Sequence, residues 1–494
     1  MLLETKKVVV SILSLFFLGS LLIVAWIEGG KQRVTAAPDA IVTAENRDCV
    51  DCHLVKSPGI VGQWQESKHS KSGIGCLQCH GAGEHDIDAY EHEGAVIATI
   101  VSPKDCSACH EKEYKEFQAS HHADAGKILG SLDNVLAEVV QGFTVFTADG
   151  EKVQPSAAAV SGCLQCHGSE IKVLENGKLD PATWPNTGMG RLNPDGSKGS
   201  CSACHVRHSF SRAQARLPEN CGRCHMGPDH PQLEVFNESK HGIAFAANRE
   251  RYAEAMKEKE WVPGRDFEQG PTCSTCHMSA TKTLPLTHDV GARISWTLRP
   301  PVSEKIDAAA LKQGRTAKSW EDRRRDMRLV CTSCHGPEWV ENFYIQYDNL
   351  VNLYNDKFGR PATQLFKNAR AAGLFSNDVN FDDEIEFTYF FLWHHEGRRA
   401  RHGAAMMGPD YTQWHGLYEV AHRFYHEFVP QLEEVIEHNK RLGGDKARQA
   451  HQVEQQLHDV LNSEMHRWFL GEMSEGERAA RKRAAEEFRK RYAQ

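Results

Sequence analysis

A chain of 494 residues with 40% hydrophobic content, a mean hydropathy of −0.52 and a formal net charge of −8 reads as a soluble globular body. The acidic balance argues against a nucleic-acid partner and makes a basic patch on a protein the natural electrostatic complement.

The first thirty residues carry a targeting signal. Lys6 and Lys7 precede an apolar run from Val8 to Ile27, long enough to cross a bilayer as a helix. The positive flank places the N-terminus inside the cytoplasm and the rest outside. A cleaved signal peptide is the competing reading, with Val34-Thr35-Ala36 as its small-residue cleavage site. The length of the run tips the balance toward an anchor at residues 8–27. Either way the body is exported to the periplasmic side. Residues 31–48 read as a linker.

All sixteen cysteines then fall in eight C-x-x-C-H boxes. They are Cys49, Cys52 and His53; Cys76, Cys79 and His80; Cys106, Cys109 and His110; Cys163, Cys166 and His167; Cys201, Cys204 and His205; Cys221, Cys224 and His225; Cys273, Cys276 and His277; Cys331, Cys334 and His335. This is the attachment signature of c-type haem. The two thiols add across the porphyrin vinyl groups, and the histidine lies under the iron as proximal ligand. Zinc ribbons or disulfides would not require a histidine after every second cysteine. The expected cofactors are eight c-type haems, and residues 49–340 form an octahaem-binding domain. Porphyrins would supply much of its apolar interior, so short helices and turns suffice around them. Haem attachment outside the cytoplasm agrees with the leader.

A haem that only carries electrons has both axial positions filled, whereas one that does chemistry needs one open. Of 27 histidines, nineteen lie outside the boxes. His69, His85, His122, His208, His241, His288 and one of His394 or His395 are the candidate second ligands, with His92, His121 and His402 as weaker alternatives. Seven ligands for eight irons leave one iron open. Three candidates share a repeat: Trp64-Gln65-Glu66-Ser67-Lys68-His69, Phe117-Gln118-Ala119-Ser120-His121-His122 and Phe236-Asn237-Glu238-Ser239-Lys240-His241. The pattern is aromatic, amide, any, Ser, any, His.

After His335 the texture changes, and residues 341–494 read as a C-terminal helical domain. Helical periodicity runs through 343–372, 381–403, 413–442, 446–470 and 474–492. Pro430 should kink the third of these and Gly443-Gly444 should end it. The charged, alanine-rich stretch Glu475 to Arg491 reads as a solvated face or an oligomer contact. The fold class is mainly α: a multihaem cytochrome c with a loop-rich haem-packing body and a C-terminal helical region.

Several blocks go further. They are Cys221 to His230, reading CGRCHMGPDH; His288 to Pro301, reading HDVGARISWTLRPP; and Trp393 to Arg399, reading WHHEGRR, continuing through Met406-Met407-Gly408-Pro409-Asp410-Tyr411 to Trp414-His415-Gly416. With the eight boxes they make the chain resemble the hydroxylamine oxidoreductase family of octahaem cytochromes c, from Cys49 to about residue 430. The chain departs from that pattern at its ends: members often carry a C-terminal membrane helix, whereas this apolar span is N-terminal.

The resemblance implies a catalytic fourth haem, attached at Cys163 and Cys166 with His167 as proximal ligand, and Asp229 and His230 on its open distal face. Tyr411 matches the tyrosine that, in oxidising members, crosses a subunit boundary and bonds covalently to that haem, which makes them homotrimers; nitrite-reducing relatives lack it. Read without the resemblance, Tyr411 is a half-buried tyrosine at a helix start with Asp410 as cap, and Asp229-His230 is a hydrogen-bonding loop pair. The implied activity is oxidation of hydroxylamine to nitric oxide or nitrite. His230 would take protons, and Asp229 would accept a second proton or hold the imidazole tautomer. Seven bis-histidine haems would pass electrons to an exported cytochrome c or a quinone-linked membrane acceptor. The rivals are hydrazine oxidation to dinitrogen, reduction of nitrite or hydroxylamine to ammonia, and a non-catalytic electron conduit with all irons capped.

Overall fold

The computed structural model describes residues 39–83, 85–130, 136–137, 139–140, 157–295 and 318–493. The N-terminal apolar run and the Trp296–Pro301 end of the second block lie outside the described residues. No helix among the described residues is long and apolar enough to cross a membrane. The fold is mainly α, as the sequence indicates. A two-stranded ribbon, Ala89–His92 with Ala95–Ala98, is the one sheet among the described residues. Glu93 and Gly94 join its strands with φ of 49° and 82°, the left-handed pair that a two-residue hairpin turn requires.

Two compact units separate along the chain. One holds the described residues up to Gly83 together with Glu91–Ala98 and Val206–Phe210. The other holds residues 85–90, Thr99–His205 and the chain from Ser211 onward. In the first, Val50, Val61 and Trp64 make a small core, and the Trp64 indole donates to the Ile74 carbonyl at 2.9 Å.

The aromatic–amide–x–Ser–x–His repeat has a simple local cause. In two copies the serine closes one helix and caps the next. Ser67 follows the Pro58–Glu66 helix, and its Oγ accepts the Ser70 N–H at 3.1 Å at the start of Lys68–Lys71. Ser239 follows Gln232–Glu238, and its Oγ accepts the Gly242 N–H at 3.1 Å at the start of Lys240–Ala247. The aromatic residues Trp64 and Phe236 are buried and anchor the first helix. The histidine becomes the second residue of the new helix, at a fixed angle to the old one. In the third copy Ser120 Oγ turns back to the Phe117 carbonyl at 2.6 Å.

From Trp320 onward the second unit is built of longer helices. Pro337–Tyr354, Arg360–Ala371, Glu384–Phe390, Gly397–Ala405, Val429–Leu442 and Gly444–Leu461 contribute to it. Their apolar faces meet in one core of Tyr354, Leu365, Ile385, Phe424, Phe428 and Leu432 among others. Each fully buried side chain of this size contributes about 1.5–3 kcal/mol. Arg324 crosses to Asp348 in a two-point ion pair at 2.7 and 2.9 Å. Four turns widen into π-helix, at Asn355–Gly359, Phe391–Glu396, Gln413–Tyr418 and Phe424–Phe428. Such bulges recur at functional sites. Pro430 is the second residue of Val429–Leu442, directly after the last of these turns; the wide turn accommodates its missing N–H. Gly443, with φ +74°, ends that helix as its sequence suggests. The last helix, Glu475–Tyr492, buries no residue.

Candidate haem and substrate sites

Five box histidines face a histidine from outside the boxes across a nearly constant gap. His53 stands 6.2 Å from His92 between ring centroids. His80 is 6.4 Å from His208, and His205 is 6.4 Å from His288. His225 is 6.0 Å from His122, and His335 is 6.0 Å from His241. An iron between two imidazoles fixes this distance. Two metal–nitrogen bonds of about 2 Å, each extended by about 1.1 Å to the ring centre, give about 6.2–6.3 Å. Hydrogen-bonded imidazoles, at about 2.9 Å between nitrogens, would bring the centroids to roughly 5 Å. The gaps are those a bis-histidine haem would need, and His225 keeps such a gap to His230, at 6.3 Å, as well as to His122.

The surroundings suit ligation. Burial pushes His225 down to about 3 and His122 down to about 4, and it lowers His208, His241 and His288 as well. Ligating imidazole must be neutral. The Nδ1 atoms of His80 and His167 lie 2.9 and 3.2 Å from the carbonyls of Ala98 and Ala125. That bond orients a ligand ring and leaves Nε2 for the metal.

Of the histidines offered by the sequence as second ligands, His122, His208, His241 and His288 each lie 6.0–6.4 Å from a box histidine. The first box differs. His92, immediately before the hairpin turn, faces His53, while His85 sits at an exposed turn. His69 meets the Phe210 ring edge-on at 5.1 Å. His394 is buried and stacks on Phe390 at 4.2 Å; burial, then the neighbouring His394, pushes His395 down to about 4.

A second cluster gathers around Asp229. Its Oδ2 lies 3.4 Å from His230 Nε2, 3.6 Å from Arg398 Nη1 and 3.9 Å from His394 Nε2. Asp229 is also within electrostatic reach of Cys166 in the fourth box, which lies against Cys224 of the sixth. The buried His402 is pushed down to about 3 by burial first and then by the nearby Arg401 and Arg398. The Asp229-His230 loop and the Trp393–His402 stretch are far apart in sequence and converge here. Arg398 is the member that the sequence reading did not place, and His402 was offered there only as a weaker alternative haem ligand. Spacing was the available signal: His394, Arg398 and His402 recur every fourth residue, the stride of one helical face.

Tyr411 lies on the short helix Pro409–Thr412, whose backbone is held tightly. Its N–H donates to Glu238 Oε1 at 3.3 Å. A Cβ on Gly403 would stand 2.5 Å from the Thr412 nitrogen and 2.7 Å from the Tyr411 carbonyl carbon. One on Gly416 would collide with the Tyr411 carbonyl oxygen. Glycine at both positions permits this close approach. His415 bridges Asp410 at 3.5 Å and Glu419 at 3.0 Å. The phenol is held above its ordinary value by burial and by the carboxylates of Glu234 and Glu238. Trp414 and Tyr418 beside it are exposed.

Comparison with known proteins follows the same lines. Residues 195–353 match a family model described as seven times multi-haem cytochrome CxxCH. Residues 28–81 match the model of cytochrome c554 and c-prime. A Kuenenia stuttgartiensis protein described as a "probable nitrite reductase-hydroxylamine oxidoreductase fusion protein" is 29% identical over 345 residues, which is 59% of this chain and 34% of that protein. The chain therefore spans about a third of the length of that curated relative. A solved "hypothetical multiheme protein" superposes with a TM-score of 0.67 at 28% identity, covering 80% of this chain and 96% of its own. A Kuenenia stuttgartiensis reducing HAO-like protein complex shares the fold, with a TM-score of 0.57 at 19% identity over 79% of this chain and 84% of that one. The boxes and these likenesses make the chain similar to multihaem c-type cytochromes, which implies covalently bound c-type haem and supports haem-based redox or electron transfer.

Proposed function

We propose that this chain is an exported octahaem oxidoreductase that oxidises hydroxylamine to nitric oxide or nitrite at its fourth haem, held by Cys163, Cys166 and His167. The observation that carries the reading is the convergence of Asp229, His230, His394 and Arg398, with the fourth-box Cys166 within electrostatic reach of Asp229. When bound, the haem supplies an iron with one open position and takes up the electrons. The chain's own residues handle the protons. His230 Nε2 accepts a proton from the substrate, and imidazole can take and release one near neutral pH. Asp229 Oδ2, 3.4 Å away, orients the ring and steadies the imidazolium. The other boxes would hold the haems that supply an electron path to a basic cytochrome c or a quinone-linked membrane acceptor, the partners that suit the acidic balance of the chain.

Tyr411 supplies the direction. Its rigid turn and half-buried phenol suit a reach to the fourth haem of a neighbouring subunit, closing a cyclic trimer. Residues 8–27 anchor the body to the membrane unless they are cleaved. A reductive reading, nitrite or hydroxylamine to ammonia, draws on the descriptions of the relatives named above.

His230→Ala should lower hydroxylamine turnover roughly a hundredfold, the scale of a lost general base, with haem content unchanged. Near-native turnover across neutral pH would remove His230 from the mechanism. Wild-type protein that runs only as monomer after full denaturation would remove the Tyr411 cross-link, and the reductive reading would then be preferred.

A further inference from the structure

The helix Glu475–Tyr492 spans 18 residues and buries none of them. An isolated helix of that length is marginal in water, so a partner that covered it would also steady it. Its charge runs against the rest of the chain. Seven basic side chains face four acidic ones between Glu475 and Tyr492, on a chain whose net charge is −8. Arg481, Ala484, Ala485, Phe488 and Tyr492 recur at three- and four-residue spacing and share one face. Arg478 and Arg491 flank that face, and Glu486 and Glu487 lie off it. The Phe488 and Tyr492 rings stand 4.7 Å apart and are 62% and 76% exposed. Glu477, the carboxylate on the same face, is taken up by Arg467 and by the cap, its Oε2 accepting the Ser474 N–H at 2.8 Å.

The turn before the helix continues this surface. Phe469 stacks on Tyr425 at 4.0 Å and ties the turn to the core. Met465, Trp468 and Leu470 stay exposed. Trp468 and Met473 border one surface hollow together with Glu477 and Arg481. Exposed rings among basic side chains suit a helix that lies in a membrane interface, where the rings settle at headgroup depth and the cations meet lipid phosphate. Here the cations are spread along the helix, which matches a fluid sheet of phosphates better than the fixed carboxylates of one protein surface. A second copy related by a two-fold axis would set these arginines against themselves. We propose that Glu475–Tyr492, with Trp468 beside it, docks the protein on an anionic phospholipid surface, lying along that surface rather than crossing it. The docking stands whichever direction the haem chemistry runs.

Hydrogen–deuterium exchange of the full-length holoprotein tests this, because it reads the 475–492 amides directly. One sample holds vesicles of phosphatidylglycerol with phosphatidylcholine, another phosphatidylcholine alone, and a third no lipid. An apolar anchor at residues 8–27 would enter both kinds of vesicle, so it does not produce a difference between them. The anionic vesicles should protect 475–492, and added salt should weaken the protection. Arg481→Gln with Arg491→Gln should lower that protection about tenfold or more, and Phe488→Ser with Tyr492→Ser should lower it as well. Neither pair touches a buried residue, so haem content and thermal unfolding should stay unchanged. Equal exchange with and without anionic lipid overturns the proposal, as does equal protection by both kinds of vesicle. Protection that appears without lipid and grows with protein concentration also overturns it, because a second copy then covers the helix.

Discussion

Replacing His92 by alanine should open one haem, and replacing His85 should open none. His92 faces His53 at 6.2 Å, the separation an iron between two imidazoles demands. Removing the ring leaves only a methyl group, several ångströms short of where the metal would sit, so water or nothing takes the sixth position. The protein cost is small. His92 is exposed on a two-stranded ribbon, and surface substitutions stay within about 0.5 kcal/mol. The spectroscopic change is therefore one haem's worth of signal, converted from low spin to high spin in an otherwise intact protein. Quantitative electron paramagnetic resonance on the oxidised protein measures it, and imidazole added to the solution should reverse it. His85→Ala, at an exposed turn, should leave both stability and spin count unchanged. A low-spin count unaffected by His92→Ala, or a loss produced by His85→Ala instead, would refute the assignment drawn from the gap.

Two further outcomes follow from packing and charge. Gly403→Ala puts a methyl group 2.5 Å from the Thr412 nitrogen, so Gly397–Ala405 must move off the Tyr411 turn. The cost should be about 1–3 kcal/mol in thermal unfolding, with a matching loss of whatever spectroscopic signal depends on Tyr411. His466 is buried, its Nδ1 2.8 Å from the Tyr425 hydroxyl, and burial lowers its pKa. The folded chain therefore holds fewer protons at this site than the unfolded chain does. The stability it contributes is complete above the ordinary histidine value of about 6.5 and is lost as pH falls from there through the lowered value. His466→Gln should flatten that part of the stability–pH profile between pH 7.5 and 5; an unchanged slope would show that the ring does not titrate on unfolding.

The parts legible in the sequence were those with their own period or motif. The boxes named the cofactor because haem attachment needs both thiols and the histidine at fixed spacing. The Ser-centred repeat singled out His241, and His69 with it, because in those copies it encodes a helix, a cap and a second helix within a few residues. The end of Val429–Leu442 was written in Gly443. The choice of His92 over His85 was not legible: it depends on a hairpin turn at Glu93-Gly94 that orients the preceding residue, whereas closeness to a box along the chain favours His85. Nor was Arg398 distinguishable from Arg399. One faces Asp229 and the other pairs with Glu419 at 2.8 Å, a difference set by how the π turn at Phe391–Glu396 rotates the helix that follows.

The distribution of apolar packing has a consequence for how the protein is made. Nineteen buried residues form the core shared by the C-terminal helices, whereas the protein-only cores among the boxes hold six residues or fewer. On the proposed export route, a chain without porphyrin can collapse at its C-terminal end, but the described residues among the boxes offer little apolar mass to close the remainder. The attachment machinery then meets the boxes on open chain, where both thiols are reachable. A host that exports the chain but cannot ligate haem should accumulate a protease-trimmed C-terminal fragment rather than a full-length apoprotein.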